Sequence, residues 1–191
     1  YYVHTPGLKV VAPATAYDAK GLIKAAIRDD DPVIYFEHKF LYRRIKEELP
    51  ADDYIVPIGK GKVVREGRDL TIVTYGAMLY VALDAAKALE QEGIDVEVID
   101  LRSLLPLDRE LIVESVKKTN KLLVVHEDTR TGGIAGEIAA SVNEEAFEHL
   151  DAPVLRVTAP DTPVPYSPPM EEYFLPKVSD VVVAARKLHR Y

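Results

Sequence analysis

A histidine beside two carboxylates forms the most site-like cluster in the sequence. His126, Glu127 and Asp128 stand at the end of an apolar run, and Thr131-Gly132-Gly133 follows them. Ligands of open α/β sheets bind at the carboxyl ends of strands, and a histidine among carboxylates is suited to proton transfer. A structural interpretation stays open beside this one: the glycines let a loop approach the sheet, and the acids favour a helix N-terminus. A metal site is disfavoured, because three successive residues do not converge on one ion.

A second candidate site lies in Ala26-Ile27-Arg28-Asp29-Asp30-Asp31, at the end of the first helical pattern. The last carbonyls of a helix have no partner within the helix and carry partial negative charge. Carboxylates beside them add oxygen ligands of the kind that a hard cation prefers. The alternative is an ordinary solvated run of charges. His4, in a turn before an apolar strand, is by itself interpreted as a loop residue.

Composition and missing motifs exclude several classes of function. The 191 residues include 24 basic and 31 acidic side chains, and the net charge of -7 disfavours binding to nucleic acid or anionic membranes. The chain has no cysteine, so disulfides, thiolate catalysis and thiolate metal sites are excluded. Gly76 follows a predicted strand, but the segment has one of the three glycines of a dinucleotide fingerprint, which favours a tight turn. No serine-nucleophile motif and no membrane-length apolar run occurs.

Alternating apolar periods predict the elements that position these residues. Strands are expected at 8–12, 33–37, 70–74, 96–101, 122–126 and 154–158, and helices at 16–28, 77–91, 109–118, 134–149 and 178–188. The segment 160–176 contains six of the thirteen prolines and is predicted to be irregular. The expected fold class is α/β, as two three-layer units with mostly parallel sheets.

The first helix has a recognisable start and a predicted buried face. Thr15 followed by Asp18 has the form of a capping box. The apolar residues at helical spacing that we expect to face the core are Leu22, Ile23, Ala26 and Ile27.

Several collinear motifs together resemble the beta subunit of the thiamine-diphosphate-dependent 2-oxo acid dehydrogenases. They run through the whole chain in order, and they are His4-Thr-Pro-Gly-Leu-Lys-Val-Val, Tyr17-Asp-Ala-Lys-Gly-Leu-Ile-Lys, Ala26-Ile-Arg-Asp-Asp-Asp-Pro-Val, Phe36-Glu-His-Lys-Phe-Leu-Tyr-Arg, Glu97-Val-Ile-Asp-Leu-Arg, Asp151-Ala-Pro-Val-Leu-Arg-Val-Thr and Asp161-Thr-Pro-Val-Pro-Tyr. The resemblance implies that residues 1–45 are the C-terminal part of a pyrimidine-binding domain. It also implies a linker at 46–65 and a transketolase C-terminal-type domain at 66–191.

The resemblance also implies cofactors and site residues. In the family, an alpha subunit holds thiamine diphosphate and magnesium. The first half of the beta subunit supplies an activating glutamate and a catalytic histidine in a His-Ser-Gln motif, shortly before the position of His4. These motifs do not occur in the chain, so no catalytic or cofactor-binding residue is assigned here. Some relatives bind potassium at the positions of Ala26, Ile27, Asp29 and Asp31, which makes these four residues a candidate potassium site.

The function that the resemblance implies is oxidative decarboxylation of a 2-oxo acid, with pyruvate as the expected substrate, and acyl transfer to lipoamide. The expected partners are the alpha subunit and a second beta subunit in an α2β2 tetramer, and a dihydrolipoyl acyltransferase core. The expected location is the cytoplasm of a prokaryote or the mitochondrial matrix of a eukaryote. The alternatives are a relative of transketolase or deoxyxylulose-phosphate synthase, and a non-catalytic assembly module. We expect the chain to be part of a longer subunit, with the catalytic histidine upstream of Tyr1.

Overall fold

A computed structural model describes residues 1–191, and its contacts divide the chain into two compact units. The first unit consists of Tyr1–Lys62, Tyr75–Ala77 and Asp100–Asp108, and the second of Val63–Thr74, Met78–Ile99 and Arg109–Tyr191. The strands are β1 (Lys9–Val11), β2 (Val33–Tyr35), β3 (Lys62–Arg65), β4 (Leu70–Thr74), β5 (Val96–Asp100), β6 (Ser103–Leu105), β7 (Leu122–Thr129) and β8 (Leu155–Ala159). The α-helices are α1 (Ala16–Ile27), α2 (Met78–Glu90), α3 (Arg109–Thr119), α4 (Ala135–Ala146), α5 (Pro168–Phe174) and α6 (Val178–His189).

The first unit is built on a three-stranded sheet in the order β2-β1-β6. β1 and β2 are parallel, with Lys9 opposite Val33 and Val11 opposite Tyr35, and α1 connects them. This confirms the strands predicted at 8–12 and 33–37 and the helix predicted between them, and β2 is half-buried. β6 pairs antiparallel with β1 and was not predicted, because it begins only two residues after β5 and no turn residue separates the two strands in the sequence.

The buried face of α1 differs from the predicted apolar stripe. Leu22 is fully buried as predicted, but Ile27 is 77% exposed and Ile23 is also exposed. The face turned inward carries Asp18, Gly21 and Leu22, which lie three and four residues apart and so share one side of the helix. The prediction was wrong here because a hydrophobicity pattern does not select an acidic residue and a glycine as a buried face.

The core of the first unit reaches into the segment predicted as a linker. Val56 is buried against Val11 and Leu22, and Tyr54 and Ile58 pack on the same cluster. Residues up to Lys62 therefore contribute to this unit, and the chain returns to it at Asp100–Asp108. The division at 1–45, 46–65 and 66–191 stays a prediction about domain history, and the compact units have different bounds.

The second unit has three layers around a five-stranded sheet in the order β3-β5-β4-β7-β8. β4 is parallel to β7, and β7 is parallel to β8. β4 and β5 are buried along their whole length, as expected of central strands covered on both faces. α2 and α6 pack on each other and on the sheet, and α3 and α4 form the second helical pair. The predicted α/β class is confirmed.

The proline-rich tail was predicted to be irregular, and this is wrong for its middle. α5 spans Pro168–Phe174, with Pro168 and Pro169 in its first turn and Phe174 buried. Proline is tolerated at the start of a helix because the N–H that it lacks would have no partner within the helix. A proline count across the segment does not show where in a helix each proline falls.

Replacing Gly21 with Ala should destabilise the protein. A Cβ at Gly21 would lie 2.4 Å from Val56 Cγ2 and 2.8 Å from the Val56 backbone nitrogen, so the clash involves the main chain. We expect a loss of about 1–3 kcal/mol in the free energy of unfolding, measured by urea denaturation of the intact protein. Gly136→Ala in α4 is the matched control, because a Cβ there would approach nothing closer than 3.9 Å. That variant should be neutral or more stable, and equal losses in both variants would contradict the packing argument.

Candidate functional site

Two of the predicted cation ligands, Asp29 and Asp31, lie close together beside the first residue of β1. The Lys9 Nζ is 2.7 Å from Asp29 Oδ1 and 3.0 Å from Asp31 Oδ2. Asp31 also donates its backbone N–H to Asp29 Oδ1 at 2.9 Å. Sequence reasoning did not include Lys9, whose ammonium bridges both carboxylates. The cluster therefore already contains one positive charge supplied by the chain itself.

The charges in this cluster shift the pKa values of both partners. Hydrogen bonding to Lys9, and then to the Asp31 backbone, lowers the pKa of Asp29. The same carboxylates raise the pKa of Lys9. Both groups are thus charged throughout the neutral range. No group of three or more His, Cys, Asp or Glu side chains in the chain is placed to hold a metal ion. The potassium site at Ala26, Ile27, Asp29 and Asp31, which would also use main-chain oxygens, stays a prediction.

His4 lies in an exposed turn that leads into β1. The Thr5 backbone N–H donates to the Tyr2 carbonyl, and Gly7 has a φ of 90°, a conformation that favours glycine. The His4 imidazole makes no hydrogen bond or ion pair that would give it a chemical task. Its assignment as the residue that follows a catalytic loop rests on the resemblance alone.

The most strongly buried charges in the first unit form a cluster that sequence reasoning missed. Asp18 on α1 pairs with Arg102 through a 2.6 Å contact between Oδ1 and Nη2, and the two side chains are 2% and 11% exposed. Asp100, fully buried, accepts a hydrogen bond from the Arg102 backbone N–H at 3.1 Å. Thr15 caps α1 as predicted by accepting from the Asp18 N–H. The Asp18 carboxylate accepts from the Thr15 hydroxyl at 2.8 Å through Oδ2, and its Oδ1 contacts the arginine. The available signal was Asp100-Leu101-Arg102, used only as a family motif.

The electrostatics of this cluster leave one carboxyl group easily protonated. Burial raises the pKa of Asp100 to about 7, and the nearby Asp18 charge adds to the shift, while Arg102 and Lys62 oppose it. Asp100 Oδ2 has no hydrogen-bond partner, which is consistent with a group that carries a proton at neutral pH or below. Arg102 has a φ of 56°, so the backbone at this corner is strained for a residue with a side chain.

His126 lies inside the second unit rather than in an open site. Its side chain is fully buried in β7, and burial lowers the pKa of the imidazole, so it is neutral at physiological pH. A Cβ on Gly133 would lie 2.7 Å from His126 Cε1 and 2.6 Å from the Thr129 carbonyl oxygen. Glu127 is half-buried and Asp128 exposed. These contacts favour the structural interpretation, in which the glycine lets the loop close over the histidine.

Gly76 occupies a tight turn, as its single-glycine context predicted. Its φ is 59°, a conformation that favours glycine, and a Cβ would come no nearer than 3.9 Å to the His38 ring.

Among the helices of the structure, none is both long and apolar enough to cross a bilayer.

Comparison with known protein families settles the kinship of the chain. The transketolase C-terminal domain family matches residues 59–181, which is nearly two thirds of the chain. The chain belongs to that family. The transketolase pyrimidine-binding domain matches residues 1–44 of the same transketolase-family chain, which agrees with the origin inferred for that segment.

Curated relatives of this transketolase-family chain include beta subunits of 2-oxo acid dehydrogenases. It is 52% identical to the 2-oxoisovalerate dehydrogenase subunit beta of Bacillus subtilis, over 100% of this chain and 58% of the relative. It is 50% identical to the pyruvate dehydrogenase E1 component subunit beta of the same organism, over 96% of this chain and 56% of the relative. The resemblance inferred from sequence motifs is confirmed. The chain spans somewhat more than half the length of these relatives.

Two further matches widen the comparison. The acetoin:2,6-dichlorophenolindophenol oxidoreductase subunit beta of Cupriavidus necator is 48% identical, over 97% of this chain and 55% of the relative. Among solved structures, a split-gene transketolase described as an inactive beta4 tetramer has a TM-score of 0.81 at 33% identity. It covers 99% of this chain and 59% of that one.

Replacing Asp100 with Asn should flatten the pH dependence of stability. The folded protein holds the Asp100 proton with a pKa of about 7, whereas the ordinary value is near 3.8, so stability falls as pH rises between these values and levels off above them. Asn resembles the protonated carboxyl, so the variant should gain about 2–4 kcal/mol relative to wild type between pH 4 and pH 8. Urea unfolding at several pH values measures this, with exposed Asp52→Asn as the control. An unchanged slope would contradict the buried-proton assignment.

The effect of Asp29→Ala on the melting temperature should show whether Asp29 only pairs with Lys9 or also binds potassium. Loss of the part-buried pair with Lys9 should lower the melting temperature by a similar, small amount in any buffer. If potassium also binds here, the fall in melting temperature should be several degrees larger in potassium chloride than in choline chloride. The control is Asp30→Ala, which removes the same charge from an exposed position that holds no partner. Equal losses in the two salts would count against the cation site.

Proposed function

We propose that this chain is the beta subunit of a thiamine-diphosphate-dependent 2-oxo acid dehydrogenase that decarboxylates a 2-oxo acid and passes the acyl group to lipoamide. The observation that carries the proposal is the identity of about 50%, over at least 96% of this chain, to two beta subunits of such enzymes. We propose pyruvate as the substrate. The names of the relatives include both pyruvate and 2-oxoisovalerate, so the assay must offer both acids.

We propose that the residues of this chain do not by themselves form a cofactor site. No triad of acidic or histidine side chains could hold magnesium, and the Gly-Asp-Gly diphosphate motif does not occur in the sequence. When bound, thiamine diphosphate supplies the electron sink for decarboxylation. We assign its binding, and that of magnesium, to the alpha subunit and to residues outside this chain. The role proposed for residues 1–191 is to frame the active site and to hold the assembly together.

Exposed apolar side chains support a role in an assembly. Ile27, Phe40 and Tyr42 are exposed in the first unit, and Tyr166 and Tyr173 in the second. Exposed aromatic and aliphatic side chains in such numbers are typical of protein–protein contact surfaces. We propose that the partners are the alpha subunit and a second beta subunit in an α2β2 tetramer, together with the dihydrolipoyl acyltransferase core. The proposed location is the cytoplasm of a prokaryote or the mitochondrial matrix of a eukaryote.

A second candidate function is ketol transfer of the transketolase type. The observation that favours it is the 33% identity to a split-gene transketolase over 99% of this chain. The identity is lower than that to the dehydrogenase subunits, and for this reason we rank it second.

The intact protein mixed with its alpha subunit should reduce an artificial electron acceptor when a 2-oxo acid and thiamine diphosphate are present. Absorbance of 2,6-dichlorophenolindophenol measures the rate with pyruvate, 2-oxoisovalerate and acetoin in separate arms. A matched reaction without thiamine diphosphate is the control. A folded tetramer that is inactive with both 2-oxo acids, or active only in ketol transfer between sugars, would overturn the proposed function.

A further inference from the structure

Three charged side chains are enclosed where the chain returns to the first unit. Asp18 lies on α1, Asp100 ends β5, and Arg102 lies just before β6. All three residues are buried. Two acids therefore share one base in a place that water hardly reaches. These three side chains are electrically neutral together only when one of the two carboxyl groups carries a proton.

The contacts of the cluster are distributed unequally between the two acids. Asp18 accepts from the Thr15 hydroxyl through Oδ2, and its Oδ1 lies 2.6 Å from Arg102 Nη2. Asp100 accepts only from the main-chain N–H of Arg102, at 3.1 Å on Oδ1. Its Oδ2 is buried and has no hydrogen-bond partner. The guanidinium is thus held by Asp18, and Asp100 is the acid suited to carry the proton.

Arg102 has a donor that matches the free oxygen of Asp100. Its Nε is also buried and also has no hydrogen-bond partner. A buried donor and a buried acceptor therefore stay unpaired on residues only two positions apart. Leaving such groups unpaired costs free energy, which a rearranged side chain would recover. Protonation of Asp100 weakens the tendency to rearrange, because charge assists this hydrogen bond only when the carboxyl group is ionised.

The groups around the cluster do not balance a second negative charge. Lys62, at the start of β3, is the one further charged group that acts on Asp100, and it is exposed. Tyr35 and Tyr54 are the other titratable groups near Asp18. Their hydroxyl groups donate to main-chain carbonyls in the first turn of α1. Burial raises the pKa of both phenols, so neither is charged near neutral pH.

The backbone beside the ion pair is strained. Arg102 has a φ of 56°, which is disfavoured for a residue with a Cβ. Its carbonyl accepts from the Ala12 N–H at 2.8 Å, and the Ser103 hydroxyl accepts from the Gly59 N–H at 2.8 Å. Strained residues persist only where surrounding contacts hold them, and they are typical of switch regions. Opening this corner would release the strain.

We propose that Asp100 and Arg102 form a proton-operated latch that closes β6 and α1 of the first unit. When Asp100 carries its proton, Arg102 pairs with Asp18 alone, as in the structure. When Asp100 releases its proton to solvent, two carboxylates compete for one guanidinium and the cluster has a net negative charge. The corner then opens more often, because water can solvate the extra charge and Arg102 can turn to Asp100. The latch does not depend on the proposed enzymatic activity.

The pH range of the latch follows from the two states of Asp100. In the closed unit its pKa is about 7, because burial raises it above the ordinary value of 3.8 and the Asp18 charge adds to the shift. An open corner exposes the carboxyl group to water and returns the pKa toward the ordinary value. The closed form therefore binds the proton more tightly. The ratio of open to closed corners should rise with pH between these two values and level off above them.

The test is hydrogen–deuterium exchange of the complete subunit in its native assembly, measured by mass spectrometry from about pH 5 to about pH 8.5. Protection factors remove the intrinsic pH dependence of exchange. In peptides from α1 and β6 they should fall about tenfold per pH unit up to about pH 7 and stay constant above it. Peptides from β7, in the second unit, should keep the same protection throughout.

Three variants connect the effect to the latch. Asp100→Asn should keep the high protection of α1 and β6 at every pH, because its amide is neutral and resembles the protonated acid. Asp18→Asn should move the levelling to lower pH by about one unit or more, because the Asp18 charge no longer raises the pKa of Asp100 and Arg102 is free to pair with it. Exposed Asp52→Asn is the matched control and should reproduce the wild type.

Four results would overturn the latch. Protection of α1 and β6 that does not change with pH would show that Asp100 has no control over the corner. An equal fall in the β7 peptides would show that the whole chain unfolds rather than one corner opening. A pH dependence that survives in Asp100→Asn, or a levelling that Asp18→Asn does not move, would assign the proton to another group.

Discussion

A buried ion pair determines how the first unit closes on itself. Asp18 on α1 meets Arg102, which comes from a stretch of chain more than eighty residues later, and both side chains are almost completely shielded from water. Burying either charge without its partner would strongly destabilise the folded state. The helix and the returning chain must therefore pack together in the same step. β6 can then pair with β1, and the partly strained corner at Arg102 is held in place. The ion pair therefore ties α1 to the returning chain, beside the apolar core of Val11, Leu22 and Val56.

The closed unit separates two kinds of surface chemistry. At the amino end of its parallel strands, the single Lys9 ammonium lies between the Asp29 and Asp31 carboxylates, so acidic groups outnumber basic ones there. At the carboxyl end, the chain leaves β2 through a turn that contains four basic residues and is flanked by Glu37, Glu47 and Glu48. The two edges of this sheet thus carry different sets of charged side chains.

Much of the architecture follows from local pattern. The short apolar run at 70–74 became β4, and the helical stripe that follows became α2. Gly93, just beyond the end of α2, has the positive φ that glycine allows. Long helices with a strongly periodic pattern can be predicted from sequence, because each further repeat supports the same assignment. The chemistry of the sites was less legible: His126 among carboxylates looked like a proton-transfer group, but depth in the sheet keeps it neutral and enclosed. Local composition does not report depth.

The sequence by itself determined the α/β class, the order of the long elements and the family resemblance, since these depend on short-range periodicity and on motif identity. Only the tertiary structure decided which residues meet across long separations. It buried the face of α1 that carries Asp18 and left Ile27 exposed to solvent. It also placed Lys9 between two aspartates and made Asp100 a buried acid. Such outcomes depend on desolvation and on contacts between distant segments, and these exist only once the chain has folded.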